Sequence, residues 1–218
     1  MTYEQVWEVV APATLETLYM VFVSSIIAVI LGLPLAVILV VTREDGISPS
    51  SYIYNFLSTV INIFRSIPFA ILIMILLGLS RIIVGKVIGP TAFIVPLTVA
   101  SIPFVARLME GYFLDMDKGL IEAAKAMGST NSQIILKVMI PETMPMIING
   151  IVMTIINIIG YSAMAGFIGG GGLGAVALTY GHQRSITILL WVPVILLVII
   201  VQIVQIIGNY LNRKINKK

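Results

Sequence analysis

Charged residues in this chain are confined to short stretches between long apolar runs. Residues 17–42, 87–106, 143–181 and 185–212 contain no Asp, Glu, Lys or Arg. Each run is long enough to cross the bilayer core as a helix, which takes about 20 residues. A further apolar block, 52–79, carries one charge, Arg65, and holds Pro68. The pattern predicts five spans: 17–41, closed by the charged turn 42–46; 52–79; 88–107; one from near Pro145 into the glycine cluster 169–174; and 186–211. Residues 2–10 form a short lead-in whose aromatics, Tyr3 and Trp7, suit a membrane interface. The apolar run behind it is too long for a signal-peptide core, so the first span is read as retained. Segment 110–142 holds half of the acidic residues and cannot itself span. The fold class expected is all-α: one multi-span membrane helix bundle over residues 1–218.

Composition agrees with this pattern. The 218 residues are 59% hydrophobic and 11% charged, with a mean hydropathy of +1.07, against roughly a quarter charged in soluble domains. The net charge of +3 reflects membrane topology and not nucleic-acid binding. Arg43, Arg107, Lys118, Lys125, Lys137 and the tail residues Arg213, Lys214, Lys217 and Lys218 fall on one predicted side, and Arg81, Lys86 and Arg184 on the other. The positive-inside rule then puts the amino terminus outside, and the carboxyl terminus and segment 110–142 in the cytoplasm. The chain has no cysteine, which excludes disulfides and thiolate metal sites. Prolines at 34, 68, 96, 103, 145 and 193 lie in or near the spans, where kinks are tolerated beside neighbours or water. No internal repeat supports an inverted-repeat carrier.

The most informative local pattern runs from Glu122 to Pro141. Gly128 predicts a helix break in the left-handed conformation. Thr130 and Gln133 have capping-box spacing for a second short helix, in which Ile134, Ile135, Val138 and Met139 share a face. Pro141 is expected where the chain turns back into the membrane. The predicted product is a knuckle with an apolar underside. The stretch resembles the EAA motif of ABC-importer permeases: Glu-Ala-Ala, three residues, Gly, nine residues, then Ile-x-Leu-Pro. Glu122, Ala123, Ala124, Gly128 and Pro141 match in spacing, while Val138 and Ile140 depart mildly. The resemblance implies that the first knuckle helix, with Met127 at its end, docks on an ATPase subunit.

Residues 62–69, 94–98, 102–107 and 160–166, followed by the glycines of 169–174, look like the methionine-uptake branch of these permeases. This likeness covers nearly the whole chain. It implies a type I importer permease in a bacterial cytoplasmic membrane, working as a homodimer with two ABC ATPase subunits and an external substrate-binding lipoprotein. Methionine, of either enantiomer or as derivatives, is the implied substrate. A permease of the same type for an osmoprotectant or another amino acid is the alternative. A stand-alone channel or carrier would need no ATPase and would more naturally place a carboxylate at mid-membrane, and none lies in a predicted span.

Arg65 admits two readings, a pathway residue with a protein or water partner or an arginine snorkelling to the interface with Pro68 at a boundary. Asn62 and Asn157 are suited to pair across helices, and Gln202 and Gln205 sit one turn apart. On the fourth span Asn157, Tyr161 and Met164 share one face, predicted to line the translocation path, with a neighbouring stripe of Ser162, Gly166 and Gly170 bringing two copies together. Two motif matches fail on context. Gly169-x-Gly171-x-x-Gly174 follows a span instead of a strand, and Gly85-Lys86-Val87 lacks the rest of a phosphate loop. With one histidine, His182, and no His-Glu-x-x-His pattern or buried acidic pair, neither catalysis, a metal nor a cofactor is expected.

Overall fold

The computed structural model describes residues 3–215, all of whose regular elements are helical. Helix α1 (Tyr3–Thr42) is 40 residues long, about 60 Å at 1.5 Å per residue and so twice the bilayer core. The lead-in is thus continuous with the first span as one helix. Ser24 Oγ donates to the Ile94 carbonyl on α4 (Pro90–Leu114), against which α1 packs. Gly32 permits that approach, because a Cβ there would meet Val105 at 2.6 Å. Among the described residues, four helices are long and apolar enough to cross a membrane, or five spans if a bent pair is counted as one.

That pair corrects the expected second span. Helices α2 (Ser51–Ser66) and α3 (Phe69–Val84) are bent by 110° at Ile67–Pro68. Ile67 is extended (φ −81°, ψ 124°), because the ring of a following proline excludes the helical conformation. Helix α2 buries only Ile61, whereas α3 lies on α4 through Leu72, Ile73 and Leu76.

The third span also runs further than expected. Helix α4 continues past the expected end at Arg107 to Leu114, so Glu110 belongs to it.

Two further expectations fail near α7 (Ile140–Gly166). Pro141 does not turn the chain. Short helix α6 (Asn131–Ile134), a π-helical turn at Ile135–Met139 and α7 form one continuous helix, Asn131–Gly166. The widened turn, in which Ile140 N donates to the Ile135 carbonyl, makes room for a proline ring that clashes in a regular α-helix. Beyond Gly166, what was expected to be only a turn is an additional buried helix, α8 (Gly172–Val176), continued by a π-helical stretch Ala177–Gln183 that ends beside exposed His182. Helix α9 (Thr187–Ile215) closes the bundle with a mainly exposed, apolar surface suited to lipid.

Candidate functional site

One end of the bundle carries the knuckle. Helix α5 (Lys118–Ala126) is capped by Asp117, whose Oδ1 accepts from Gly119 N at 2.9 Å. It stops in a Schellman motif: Gly128 N donates to the Lys125 carbonyl (2.9 Å) and Ser129 N to the Ala124 carbonyl (3.1 Å). Gly128 has φ +79°, the left-handed conformation its position predicted. The capping box also forms, with Gln133 N donating to Thr130 Oγ1 (3.3 Å) and Thr130 N to Gln133 Oε1 (2.9 Å).

Burial divides the knuckle into two faces. Ala124, Ile134 and Met139 are buried in a cluster with Val40 of α1, Met109 and Phe113 of α4, Met116 of the α4–α5 connection and Ile147 of α7. Glu122, Ala123, Lys125 and Met127 face outward, Met127 with 79% of its surface free. Pro141 is exposed in the helix behind it. The outer face is therefore joined to the bundle by a packed apolar contact. A surface tether adds to it: Lys118 Nζ lies 2.7 Å from Asp45 Oδ2, and Arg43 Nε lies 3.0 Å from Asp45 Oδ1. The Lys118 hydrogen bond, helped by the charges of Arg43 and Lys118 and opposed by partial desolvation, lowers the Asp45 pKa from its ordinary 3.8.

The candidate pathway residues separate. Met164 is 42% exposed, on one face of α7 with Met146, Met153, Gly160 and Phe167. Tyr161 is half-buried, and its ring stacks on Phe69 of α3 with centroids 3.9 Å apart and planes 10° from parallel. Arg65 meets Tyr161 at a shared cavity by the α2–α3 bend. Asn157 is half-buried, with its Nδ2 buried and without a partner. Ser162 does not join them. It is 2% exposed and donates to the Ile159 carbonyl at 2.8 Å.

The small-residue stripe is closed to a second copy by the chain itself. A Cβ on Gly166 would meet Ala175 N at 2.4 Å, and one on Gly174 would meet the Ala163 carbonyl at 2.1 Å. The stripe therefore seats α8 on α7, and the open face of α7 is the one through Gly160, where a Cβ meets nothing within 4 Å. The asparagines also pair otherwise than expected. Asn62 Oδ1 accepts from Arg107 Nη2 (3.1 Å), and Asn212 Nδ2 donates to Asn149 Oδ1 (2.8 Å).

Sequence reasoning missed two polar devices. Arg107 bonds Glu110 Oε2 through Nη1 (2.6 Å) and the Ser58 carbonyl (3.3 Å) and hydroxyl through Nη2, riveting α2 to α4. At the opposite end Glu16 Oε2 accepts from Gly172 N (2.7 Å) and Thr17 Oγ1 from Leu173 N (2.9 Å). These two α1 side chains satisfy the first amides of α8, which no local residue caps. The available signal was an acidic residue at the edge of an uncharged run, together with a glycine stretch that has no side chains of its own to cap a helix.

The comparisons with known proteins agree with this geometry. The family of binding-protein-dependent transport system inner membrane components matches residues 28–217. A probable D-methionine transport system permease protein, MetI of Pasteurella multocida (strain Pm70), is 45% identical over 214 residues, 98% of this chain and 99% of that protein. The methionine import system permease protein MetP of Bacillus subtilis (strain 168) is 44% identical over 206 residues, 94% of this chain and 93% of its own length. A solved structure of the MetNI methionine ABC transporter in inward-facing conformations contains a chain that superposes with a TM-score of 0.96, at 41% identity over the full length of both.

Proposed function

This chain belongs to the binding-protein-dependent transport system inner membrane components, and from that premise we propose that it is the permease subunit of an ATP-driven methionine importer. The observation that carries the reading is the knuckle. Its outer face is exposed and presents Met127, while its underside is locked into the bundle. Such a part is suited to receive movement from another protein and pass it inward. ATP hydrolysis then resides in a partner ATPase, which accounts for a chain without a complete phosphate loop.

Two copies of the chain form the pathway between them. The open α7 face through Met153, Gly160 and Met164 supports this arrangement, in place of the stripe that α8 fills. Met164, Tyr161 and Asn157 then offer a thioether, a phenol and an amide to a zwitterionic, flexible substrate. Ser162 contributes by seating α8. The knuckle faces the cytoplasm, where an ATPase is supplied with ATP, and the glycine end faces a binding lipoprotein outside. Transport follows from differential binding: ATP closes the ATPase pair, the knuckles follow, the bundle opens outward, and hydrolysis reverses the movement. The close match to an inward-facing structure supports reading the present shape as the inward-facing state. L- and D-methionine carry the same carboxylate, ammonium and thioether groups, so the proposed substrate range includes both.

The test is reconstitution of the chain with its ATPase and binding protein in proteoliposomes. Methionine uptake that requires ATP and all three components is expected. Uptake of glycine betaine in its place, or methionine uptake without an ATPase, would overturn the assignment. Single cysteines at Thr2 and Lys218, both outside the described residues, read the orientation. Labelling from opposite sides is expected, and labelling from the same side refutes the topology.

A further inference from the structure

Arg65 and Arg107 stand on neighbouring elements and have opposite fates. Arg107 is satisfied by Glu110, Ser58 and Asn62. Arg65, in the last turn of α2, has neither an ion pair nor a side-chain hydrogen bond among the described residues. Its guanidinium borders a cavity of about 190 Å³ at the α2–α3 break, walled by Phe64, Phe69, Phe104, Tyr161 and Ala100. Ala100, near the middle of α4, is half-buried at the inner wall of the cavity, and exposed Arg65 stands at its open side. Arg65 is the one group in that lining that is charged at neutral pH.

An arginine within an apolar segment of spanning length pairs or marks a substrate path, and exposed Arg65 has no side-chain partner among the described residues. The C-terminal carbonyls of α2 favour a cation there, but they leave its planar fork free. A fork of N–H donors matches a carboxylate in two-point geometry. Beside it the stacked Phe69 and Tyr161 rings offer apolar faces and edges, surroundings that favour a thioether sulfur. The space far exceeds the ~10–15 Å³ that one water needs. The break between α2 and α3 also frees backbone groups that a polar ligand can engage.

We infer that this cavity is a substrate station within the permease, in which Arg65 holds the carboxylate of a small amino acid and the Phe69–Tyr161 stack receives its soft apolar tail. The inference rests on the importer reading and deepens it by assigning the charged end of the substrate to one side chain. Binding there is transient, because one side of the cavity is the exposed edge of α2. Arg65 is thus a substrate-touching residue, and the snorkelling reading is set aside.

The experiment exploits the absence of cysteine. Ala100→Cys is introduced, the permease is assembled with its ATPase and binding protein in proteoliposomes, and labelling by N-ethylmaleimide is timed without nucleotide. Methionine is expected to slow labelling saturably, while methioninamide, which lacks the carboxylate, does not. Arg65→Gln should raise the half-protecting methionine concentration by about 10- to 100-fold, the worth of a charged hydrogen bond, with Arg65→Lys in between. Equal protection by methionine and methioninamide overturns the station, and so does an Arg65→Gln complex with unchanged protection. If the cysteine-free parent takes up methionine but methionine never protects Ala100→Cys, the station falls and the importer stands. If the parent with a working ATPase takes up none, both fall. Should Arg65→Gln fail to assemble, the methionine and methioninamide comparison on the intact Arg65 background still decides.

Discussion

Glu16→Ala is expected to loosen the glycine end of the bundle without disturbing the knuckle. The carboxylate accepts from Gly172 N at 2.7 Å, and Thr17 Oγ1 accepts from Leu173 N at 2.9 Å. Gly171 and Gly172 hold φ of +80° and +74°, a backbone that glycine tolerates and that makes a flexible segment when released. Hydrogen bonds to a charged group contribute about 1.5–3 kcal/mol, and a carboxylate at a helix start gains about 0.3–1 kcal/mol from aligned amides. Glu16 is half-buried, so solvent screening favours the lower part of the range, about 1.5–2 kcal/mol. That corresponds to a rise of about 10- to 30-fold in the open population of segment 169–176. Glu16→Gln keeps an oxygen acceptor and loses the charge, which leaves roughly half of the bond's strength. Thr17→Val removes only the neutral bond, about 0.5–1.5 kcal/mol. Amide hydrogen exchange on the assembled transporter in lipid nanodiscs reads these populations directly. Protection of 169–176 should rise in the order Glu16→Ala, Glu16→Gln, wild type, while peptides from 118–139 keep theirs. Unchanged protection in Glu16→Ala would refute the clamp. Equal loss in both segments would show general destabilisation and refute the local argument as well.

Three further outcomes are expected. Gly128→Val should reduce substrate-stimulated ATP hydrolysis while membrane insertion persists. A Cβ there meets nothing within 4 Å, so the penalty is that of a left-handed L-residue, ~1–2 kcal/mol, and normal stimulated hydrolysis would remove the knuckle from the coupling route. Met164→Cys in the otherwise cysteine-free chain should react with a water-soluble thiol reagent in at least one nucleotide state and lose methionine uptake on modification. A thiol never reached, or modified without effect, would move the path off this face of α7. The Asp45 tether should be insensitive to pH through the physiological range, because a carboxylate with a lowered folded pKa contributes fully above its unfolded value and loses its contribution as pH falls through the lower folded one. Exchange at the start of α5 should therefore stay flat down to the ordinary carboxylate range near ~4 and loosen below it, and loosening that begins well above it contradicts the pairing.

Much of the architecture was legible because membrane helices obey local rules. Uncharged runs of bilayer length mark spans whatever packs beside them, and the knuckle is written in neighbours: the Gly128 cap, the Thr130–Gln133 box and the apolar spacing of Ile134 and Met139 act within a few residues. The errors fall where a local rule had two outcomes. Pro68 breaks its helix by 110° and Pro141 does not, because the second proline is accommodated by a π-helical turn and the first is preceded by an extended residue. Spacing placed Ser162 and Gly166 on one stripe, but only tertiary packing assigns that stripe to α8 of the same chain and leaves the Gly160 face open. The polar pairings are further removed from sequence reasoning. Glu16 meets Gly172 across 156 residues and Arg107 meets Asn62 across 45. No periodicity selects those partners, since a side chain's reach is set by how whole helices cross. The sequence by itself determined which segments leave water and where the knuckle bends, and the tertiary structure decided which buried polar groups meet, because that depends on the helix crossings fixed by packing throughout the bundle.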